Sequence, residues 1–312
     1  MLQAIGTIPS TKVSVSQFVY RGWQDCYLLG NGSIEAIVVP SIGRVMQLRL
    51  AGDGRGTFWE NRALDGQLHG PVSNDWVNFG GDKCWPAPQS AWKQHQGHDW
   101  PPPAAFDSLP MEARACERGV VLASSIDPSY GVQVVRRVEL DAALPVMRIR
   151  TEYRKVYGNA VPVGVWSITQ LRDPERVFVL LGAKPSLAGG YLRQMEAEPA
   201  GLRIDGRLLS LARHPHESTK IGTEGRSLLW VGKQCMVRID AETGPGEYPD
   251  GGCVTEVYTS PDPLAYVELE TLGPLASIAV GESIERATVY SLMPRLLSDP
   301  DADARRVLLQ VP

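Results

Sequence analysis

Short segments in which apolar and polar residues alternate constrain the fold of this chain more than any other feature. In VMRIRTEYR (146–154), every second residue from Met147 to Tyr153 falls on one face of a strand, and the charged residues fall on the other. Similar segments recur along the chain and are divided by its 31 glycines and 24 prolines. Neither a βαβ rhythm nor a fixed-length repeat accompanies them. The pattern predicts an all-β fold of antiparallel sheets, arranged as a sandwich or a barrel.

The number of these segments favours a large sandwich. The other predicted strands lie at 33–40, 44–50, 119–126, 132–140, 161–171, 176–181, 235–240, 254–259, 265–272 and 286–292. With shorter candidates, roughly fifteen or more strands exceed a minimal immunoglobulin-like sandwich, so we predict two large sheets, one of them curved. The turn-rich stretch 51–116 is predicted to be a long loop insertion that forms a cleft. Little helix is predicted beyond the tail segment DPDADARRVLLQ (299–310).

Composition and charge limit the kinds of partner that the chain can bind and the cellular compartment that we predict for it. No shift in composition marks a second domain, so we predict one domain over 1–312, with a core at about 20–292 and a tail at 293–312. The formal net charge of -4 leaves no basic excess for nucleic acid. No apolar run is long enough to span a bilayer, and no basic run would bind an anionic membrane. Five scattered cysteines without a CxxC motif, and no secretory signal, predict a cytoplasmic protein without a disulfide framework, metal or cofactor.

The segment NFGGDKCWPAPQSAW (78–92) combines residue types that an ordinary loop does not need together. A core strand is not expected to keep Asp82, Lys83 or the prolines, so we interpret the segment as a loop in the wall of a binding cleft. The glycines would allow close approach of the backbone, and the prolines would make the loop rigid. Asn78 and Gln89 add polar contacts at its two ends.

Tryptophans are concentrated in the same region. Five of the eight lie between residues 59 and 100, namely Trp59, Trp76, Trp85, Trp92 and Trp100. Indole faces pack against the axial C–H groups of sugars, and the indole N–H donates to hydroxyl groups. The cluster therefore favours a carbohydrate-binding cleft. The alternative is that a long loop without regular structure uses these aromatic residues to build a small core of its own.

Two further segments carry groups suited to proton transfer. In AYVELETLGP (265–274), Glu268 and Glu270 share one face of a strand at a separation of about 7 Å, which is close enough for one carboxyl pKa to rise. A solvated outer face is the alternative for this pair. His98, in HQGHDWPPPAAFD (95–107), is a candidate acid or base near neutral pH, with a surface imidazole as its alternative.

These motifs resemble the galactose-mutarotase-like superfamily of sugar-binding β-supersandwiches. GGDKCWPAPQ (80–89) followed by GHDWP (97–101) is similar to the hexose-phosphate epimerase branch, and VELETLGPLASIAVGES (267–283) resembles the strand that carries its catalytic Glu. GRVMQLRL (43–50) and WENRAL (59–64) resemble its early strand pair. The resemblance covers roughly residues 20–292 and is closer still to an uncharacterised bacterial family within the superfamily.

The resemblance implies roles for particular residues. Glu270 corresponds to the Glu that removes the anomeric proton, with Glu268 as the second candidate, and His98 corresponds to a His that protonates the ring oxygen. The family's other His has no equivalent here, because Trp166 and Gln170 occupy the matching strand. The contacts with the sugar that we predict are Arg44, Asn61, Asn78, Asp82, Lys83, Trp85, Gln89, Trp100, Trp166 and Gln170.

Three functions remain open at this stage. The first is a carbohydrate-active isomerase of the aldose 1-epimerase type, in which a Glu base works with a His or Lys partner. The second is a sugar-binding module or sensor without turnover, consistent with the missing His. The third is a lyase or hydrolase that acts on an oligosaccharide. All three predict a carbohydrate ligand, either a small molecule or an oligosaccharide.

Overall fold

Two large antiparallel sheets make up the computed structural model, which describes residues 12–69 and 76–309. In chain order the strands are β1 (Ser14–Tyr20), β2 (Trp23–Gly30), β3 (Ile34–Val39), β4 (Arg44–Leu50), β5 (Asp82–Ala87), β6 (Glu112–Cys116), β7 (Gly119–Asp127), β8 (Val132–Leu140), β9 (Val146–Lys155), β10 (Val161–Arg172), β11 (Arg176–Leu180), β12 (Leu192–Arg193), β13 (Arg203–Asp205), β14 (Leu208–Leu211), β15 (Thr219–Thr223), β16 (Ser227–Val231), β17 (Cys235–Ala241), β18 (Thr255–Thr259), β19 (Tyr266–Leu272), β20 (Ala276–Ile278) and β21 (Ser283–Pro294). The helices are short: α1 (Trp92–Gln96), α2 (Ala104–Asp107), α3 (Pro249–Gly252) and α4 (Pro300–Leu308).

The strand order places distant segments side by side. The first sheet runs β1-β2-β3-β4-β5-β10-β19-β18-β15-β12, with β20 also paired to β10. The second sheet runs β13-β14-β11-β16-β17-β21-β9-β8-β7-β6. This is the predicted two-sheet sandwich, and it brings the early segment β5 and the late strand β19 onto either side of β10.

Alternation along the strands accounts for the core between the sheets. In β9, Met147, Ile149 and Tyr153 are buried, as the sequence predicts, and the charged residues between them lie outside. On β10 and β19 the odd-numbered residues face the second sheet, since Thr271 Oγ1 lies 3.0 Å from Thr288 Oγ1 of β21. The even-numbered residues of β10 and β19 therefore face away from the second sheet.

The interpretation of residues 78–92 as a loop is wrong at its centre. Residues 82–87 form β5, a central strand of the first sheet in which all six residues are buried. The buried charges are tolerated because each has a partner: Asp82 pairs with Arg136, and Lys83 pairs with Glu268. The 51–116 stretch is therefore not one loop insertion, although turns and short helices surround β5.

Other sequence predictions agree with the structure. All the predicted strand segments overlap observed strands, and the tail helix is present as α4, with Asp299 as its N-cap. The N-cap side chain accepts from the Asp301 N–H at 3.1 Å, which supports the first turn. No helix within residues 12–69 or 76–309 has the length and apolar character needed to cross a membrane.

Candidate functional site

Polar and aromatic side chains collect on the face of the first sheet that is turned away from the second. Lys83 pairs in register with Ile168, Gln170 pairs with Glu268, and Arg172 pairs with Tyr266. Paired residues in antiparallel strands share a face. We call this surface the polar face, and its members are Lys83, Trp85, Trp166, Gln170, Lys220, Glu256, Tyr258, Tyr266, Glu268 and Glu270.

The first centre on the polar face is built around Glu268. Gln170 Nε2 donates to Glu268 Oε1 at 2.8 Å, and Lys83 Nζ lies 3.5 Å from the same oxygen. The Glu268 side chain is 12% exposed, whereas that of Lys83 is fully buried. Gln170 and Lys83 thus hold one oxygen of Glu268, and the side chain remains accessible to solvent.

Lys83 lies among indoles instead of hydrogen-bond acceptors. Its Nζ is 4.5 Å from the ring centroid of Trp85 and 5.2 Å from that of Trp76. Burial lowers the pKa of Lys83, and Glu268 opposes that shift. The two ring faces add to the stabilisation that Glu268 gives this buried ammonium.

The second centre is built around Glu270. Trp166 Nε1 donates to Glu270 Oε2 at 2.7 Å, and Lys220 Nζ lies 3.1 Å from that oxygen. Lys220 Nζ also lies 2.7 Å from Glu256 Oε2 and 4.7 Å from the ring centroid of Trp166. Glu256 additionally accepts from Gln194. Glu270 is fully buried, so this centre is more enclosed than the first.

The close packing of two carboxyl groups and one ammonium group raises the pKa of both Glu270 and Lys220 in this second centre. Burial, together with the charges of Glu256 and Glu268, raises the pKa of Glu270 well above its usual value, although Lys220 opposes the shift. Burial opposes the charge on Lys220, but Glu270 and Glu256 outweigh it and raise the pKa of Lys220. Near neutral pH, Glu270 therefore holds a proton more readily than an ordinary Glu does.

Four of the five tryptophans from residues 59–100 pack together beside these centres. Trp85 makes edge-to-face contacts with Trp76, Trp92, Trp100 and Trp166, at centroid separations of 5.3 to 6.3 Å. Trp92 is fully buried, but Trp100 is 45% exposed. Both interpretations of the cluster find support, because its interior is a small core and its outer edge presents an accessible indole.

A second aromatic group borders the Glu268 end of the polar face. The rings of Trp59 and Tyr266 have centroids 4.7 Å apart, and those of Tyr258 and Tyr266 are 6.1 Å apart. Asn78 Nδ2 donates to the Tyr266 hydroxyl at 3.3 Å. The structure thus places Asn78 beside the polar face, and its predicted contact with a sugar stays a prediction.

A cavity of about 390 Å³ adjoins the second centre. Trp166 and Lys220 line it together with Gln89, which follows β5, and Asp250 of α3. Gln89 is therefore near the polar face, and so is the YPDGG turn (248–252) that contains Asp250. A cavity of this size falls within the range of small-molecule sites.

Four predicted site residues lie elsewhere or have other partners. Asp82 is on the opposite side of β5, where Arg136, Thr169 and Tyr290 bind its carboxylate. Asn61 accepts from the Ala63 N–H at 3.2 Å and so caps a short helical turn.

Arg44 and His98 are the other two. Arg44 is fully buried, with Nη2 3.0 Å from Asp107 Oδ1 and Nη1 donating to the Gly80 carbonyl at 3.2 Å. Asp107 also accepts from Trp85 Nε1 at 2.8 Å, so Arg44 supports the site through Asp107. His98 is exposed, and in the part of the chain that the structure describes its imidazole makes no hydrogen bond with Glu268 or Glu270.

Sequence reasoning missed Lys220 and Glu256. Lys220 lies on β15, which was not predicted as a strand, and Glu256 lies on the predicted strand 254–259 without a motif around it. The available signal was the alternation in VTEVYT (254–259), which places Glu256 on the same face as Tyr258.

Comparisons with known proteins agree on the fold. No family model matches the chain, and none of the curated proteins matches it. The chain is similar to a provisionally named aldose 1-epimerase from Escherichia coli K12, with a TM-score of 0.56 and 12% identity over 91% of this chain and 100% of that chain. It is also similar to a galactose mutarotase-like protein from Lactobacillus casei ATCC 334, with a TM-score of 0.56 and 7% identity over 86% and 99% of the two chains.

A third solved structure is a TPR-domain containing protein from Parabacteroides distasonis ATCC 8503. Its TM-score is 0.60 and its identity is 13%, over 92% of this chain. This chain spans about half of that protein, since the match covers 48% of it. At such identities the similarity concerns the fold.

Proposed function

We propose that this chain, which has the galactose mutarotase-like β-sandwich fold, binds a carbohydrate on the polar face and acts on the sugar ring. One observation carries the proposal. Two carboxyl groups, Glu268 and Glu270, stand on the same face of β19, each paired with a lysine and bordered by indoles. Indole faces can hold a sugar ring, and titratable groups beside them can transfer protons to and from it.

Accessibility and charge favour Glu268 as the base. A base must reach the proton that it removes, and Glu268 is partly exposed whereas Glu270 is fully buried. The raised pKa of Glu270 also favours its protonated form, which cannot accept a proton. We therefore assign proton abstraction to Glu268, in place of Glu270, and a supporting role to Glu270.

The proposed reaction is exchange at the anomeric carbon. Glu268 removes the proton of the anomeric hydroxyl, the bond between that carbon and the ring oxygen breaks, and the ring oxygen takes a proton from an acid. Rotation and closure in the reverse sense return both protons and give the other anomer. His98 is the candidate acid, on the segment whose Trp100 packs against the tryptophan cluster. Lys83, the other group that the sequence offers, is fully buried, so by the same accessibility argument we assign it to holding Glu268 in place.

Anomer-exchange NMR on neutral and acidic monosaccharides tests this function. We expect the wild-type protein to accelerate exchange, and Glu268→Gln to lower the rate by about 10²-fold or more while sugar binding persists. Glu285→Gln, which alters an exposed ion pair with Arg150 on the second sheet, is the matched control and should keep the wild-type rate. His98→Gln, measured over a pH series, tests the candidate acid, and Lys83→Met tests the residue that holds Glu268.

Two results would reject the proposal in different ways. Full activity of Glu268→Gln would remove that residue as the base, and loss in Glu270→Gln alone would restore the assignment made from the sequence. If the protein bound none of the sugars, the carbohydrate function itself would be wrong.

The second candidate is a sugar-binding module without turnover. The observation in its favour is that Gln170, an amide with no titratable proton, is the closest polar neighbour of Glu268, at 2.8 Å. Such a module would bind sugar on the polar face, and neither the wild-type protein nor any variant would accelerate anomer exchange.

A further inference from the structure

A second cavity lies at the end of the sandwich where β10 ends and β19 begins. Its volume is about 410 Å³, within the range of ligand sites. Two indoles line it, Trp59 from the chain after β4 and Trp230 from β16. Trp230 Nε1 donates to the Arg172 carbonyl at 2.7 Å, which fixes the orientation of that indole.

This cavity borders the Tyr266 end of the polar face. Trp59 lines the cavity, and its ring also contacts that of Tyr266, a member of the polar face, in a tilted arrangement. Arg172, another lining residue, is the register partner of Tyr266, two residues beyond Gln170 on β10. Two residues of a strand span about 7 Å, so a ligand over Glu268 needs to extend by only about one ring to enter the cavity.

The cations that line the cavity have no ion-pair partners among the described residues. Three cations line it, Arg55, Arg172 and Lys233, and in residues 12–69 and 76–309 none of the three forms an ion pair. The Nε of Arg172 is buried without an acceptor.

The two carboxylates that line the cavity differ in this respect. Asp173 is held by Arg213 at 2.9 Å, which leaves Asp53 as the one lining carboxylate without an ion pair in the described part of the chain. Unpaired cations therefore outnumber unpaired carboxylates in the cavity, and this net positive charge favours an anionic ligand.

We propose that this cavity binds a second sugar unit that carries a carboxylate, so that the ligand of the protein is an acidic oligosaccharide. The inference rests on the proposed function, because the first unit is the sugar on the polar face. A lone anion such as phosphate would need neither the two indoles nor this volume. A uronic acid unit uses both features, since its ring packs on an indole and its carboxylate pairs with Arg172 and Lys233.

Calorimetric titration with disaccharides that contain a uronic acid, and with their carboxyl-reduced forms, tests the inference. We expect the acidic form to bind about tenfold more tightly or better. Arg172→Gln and Lys233→Gln should each reduce that ratio, and Lys233 is exposed, so its variant is expected to fold. Arg114→Gln, which removes an exposed cation on β6, is the charge-matched control and should leave the ratio unchanged.

Three outcomes would overturn the inference. Equal affinity for the acidic and reduced forms, with a monosaccharide still bound, would reject the second subsite and leave the proposed function standing. Competition by inorganic phosphate as strong as that by the disaccharide would identify a simple anion site. If no sugar bound at all, the proposed function would fail together with the inference, whereas a bound acidic disaccharide without anomer exchange would preserve the subsite alone.

Discussion

Asp82 and Lys83 are neighbours on β5, yet their side chains enter two different environments. Asp82 faces the second sheet, where Arg136 pairs with it, the Thr169 hydroxyl donates at 2.8 Å and the Tyr290 hydroxyl donates at 2.6 Å. Lys83 lies on the polar face between two indoles. Its one polar contact is with Glu268, at 3.5 Å. Both side chains are fully buried, so the difference lies in how well their charges are satisfied.

This difference distinguishes a structural charge from a functional one. A buried ion whose hydrogen bonds are complete stabilises a unique packing, and removing one partner leaves an isolated charge. A buried ammonium with few acceptors is costly to the fold and is retained where its reactivity or field is used. We therefore assign Asp82 to the architecture and Lys83 to the site.

The largest expected effect on stability is that of Asp82→Asn. The substitution leaves Arg136 buried without a counter-charge, so we expect the free energy of unfolding to fall by about 3–5 kcal/mol. Chemical denaturation measures this change. Glu285→Gln, at an exposed ion pair, should shift the value by less than about 1 kcal/mol. A change of similar size in both variants would contradict the structural assignment of Asp82.

Gly80→Ala should have an intermediate effect. Gly80 has a φ of 93°, and an added Cβ would lie far inside van der Waals contact with the Trp59 carbonyl oxygen. Gly32 has a φ of 87° with open space around it, so Gly32→Ala measures only the free-energy cost of a non-glycine residue at positive φ. We expect Gly80→Ala to destabilise by about 1–3 kcal/mol more than Gly32→Ala in thermal or chemical unfolding. Equal costs would mean that the close approach beside β5 is not required.

Glu270→Gln should produce a smaller, pH-dependent effect. A raised folded-state pKa means that the native protein binds this proton more tightly than the unfolded chain, so stability is lost as pH rises above 4.5 toward the folded value. Glu270→Gln has no titratable group at this position, so its stability does not fall with pH for this reason. Its stability relative to wild type should therefore increase with pH in this window, by up to about 1.4 kcal/mol per pH unit. A difference that does not vary between pH 5 and 8 would contradict the raised pKa.

The sequence predicts the sheets well because alternation is a local property. The segments around Met147, Ile149 and Tyr153 show their buried face directly, and α4 has its cap and its apolar side in one short stretch. β5 was missed because its six residues are all buried on both faces and include two charges and a proline. The partners that make this strand stable are Arg136 and Glu268, which lie far away in the chain.

The site could be predicted only in part for the same reason. Glu268 and Glu270 are visible as a pair on one strand, but their separate environments depend on Gln170, Lys83 and Lys220 from three other strands. Which of the two carboxyl groups is accessible is therefore a property of the assembled sheet.

Lys83→Met tests the central claim most directly, when its unfolding free energy and its sugar affinity are measured side by side. The account predicts a free energy of unfolding equal to or above that of wild type, because Met fills the space between the indoles without a buried charge. It also predicts that sugar binding or anomer exchange is lost, because Glu268 loses its cationic neighbour. Strong destabilisation, of the size expected for Asp82→Asn, with unchanged sugar binding would contradict the account and make Lys83 a structural residue like its neighbour.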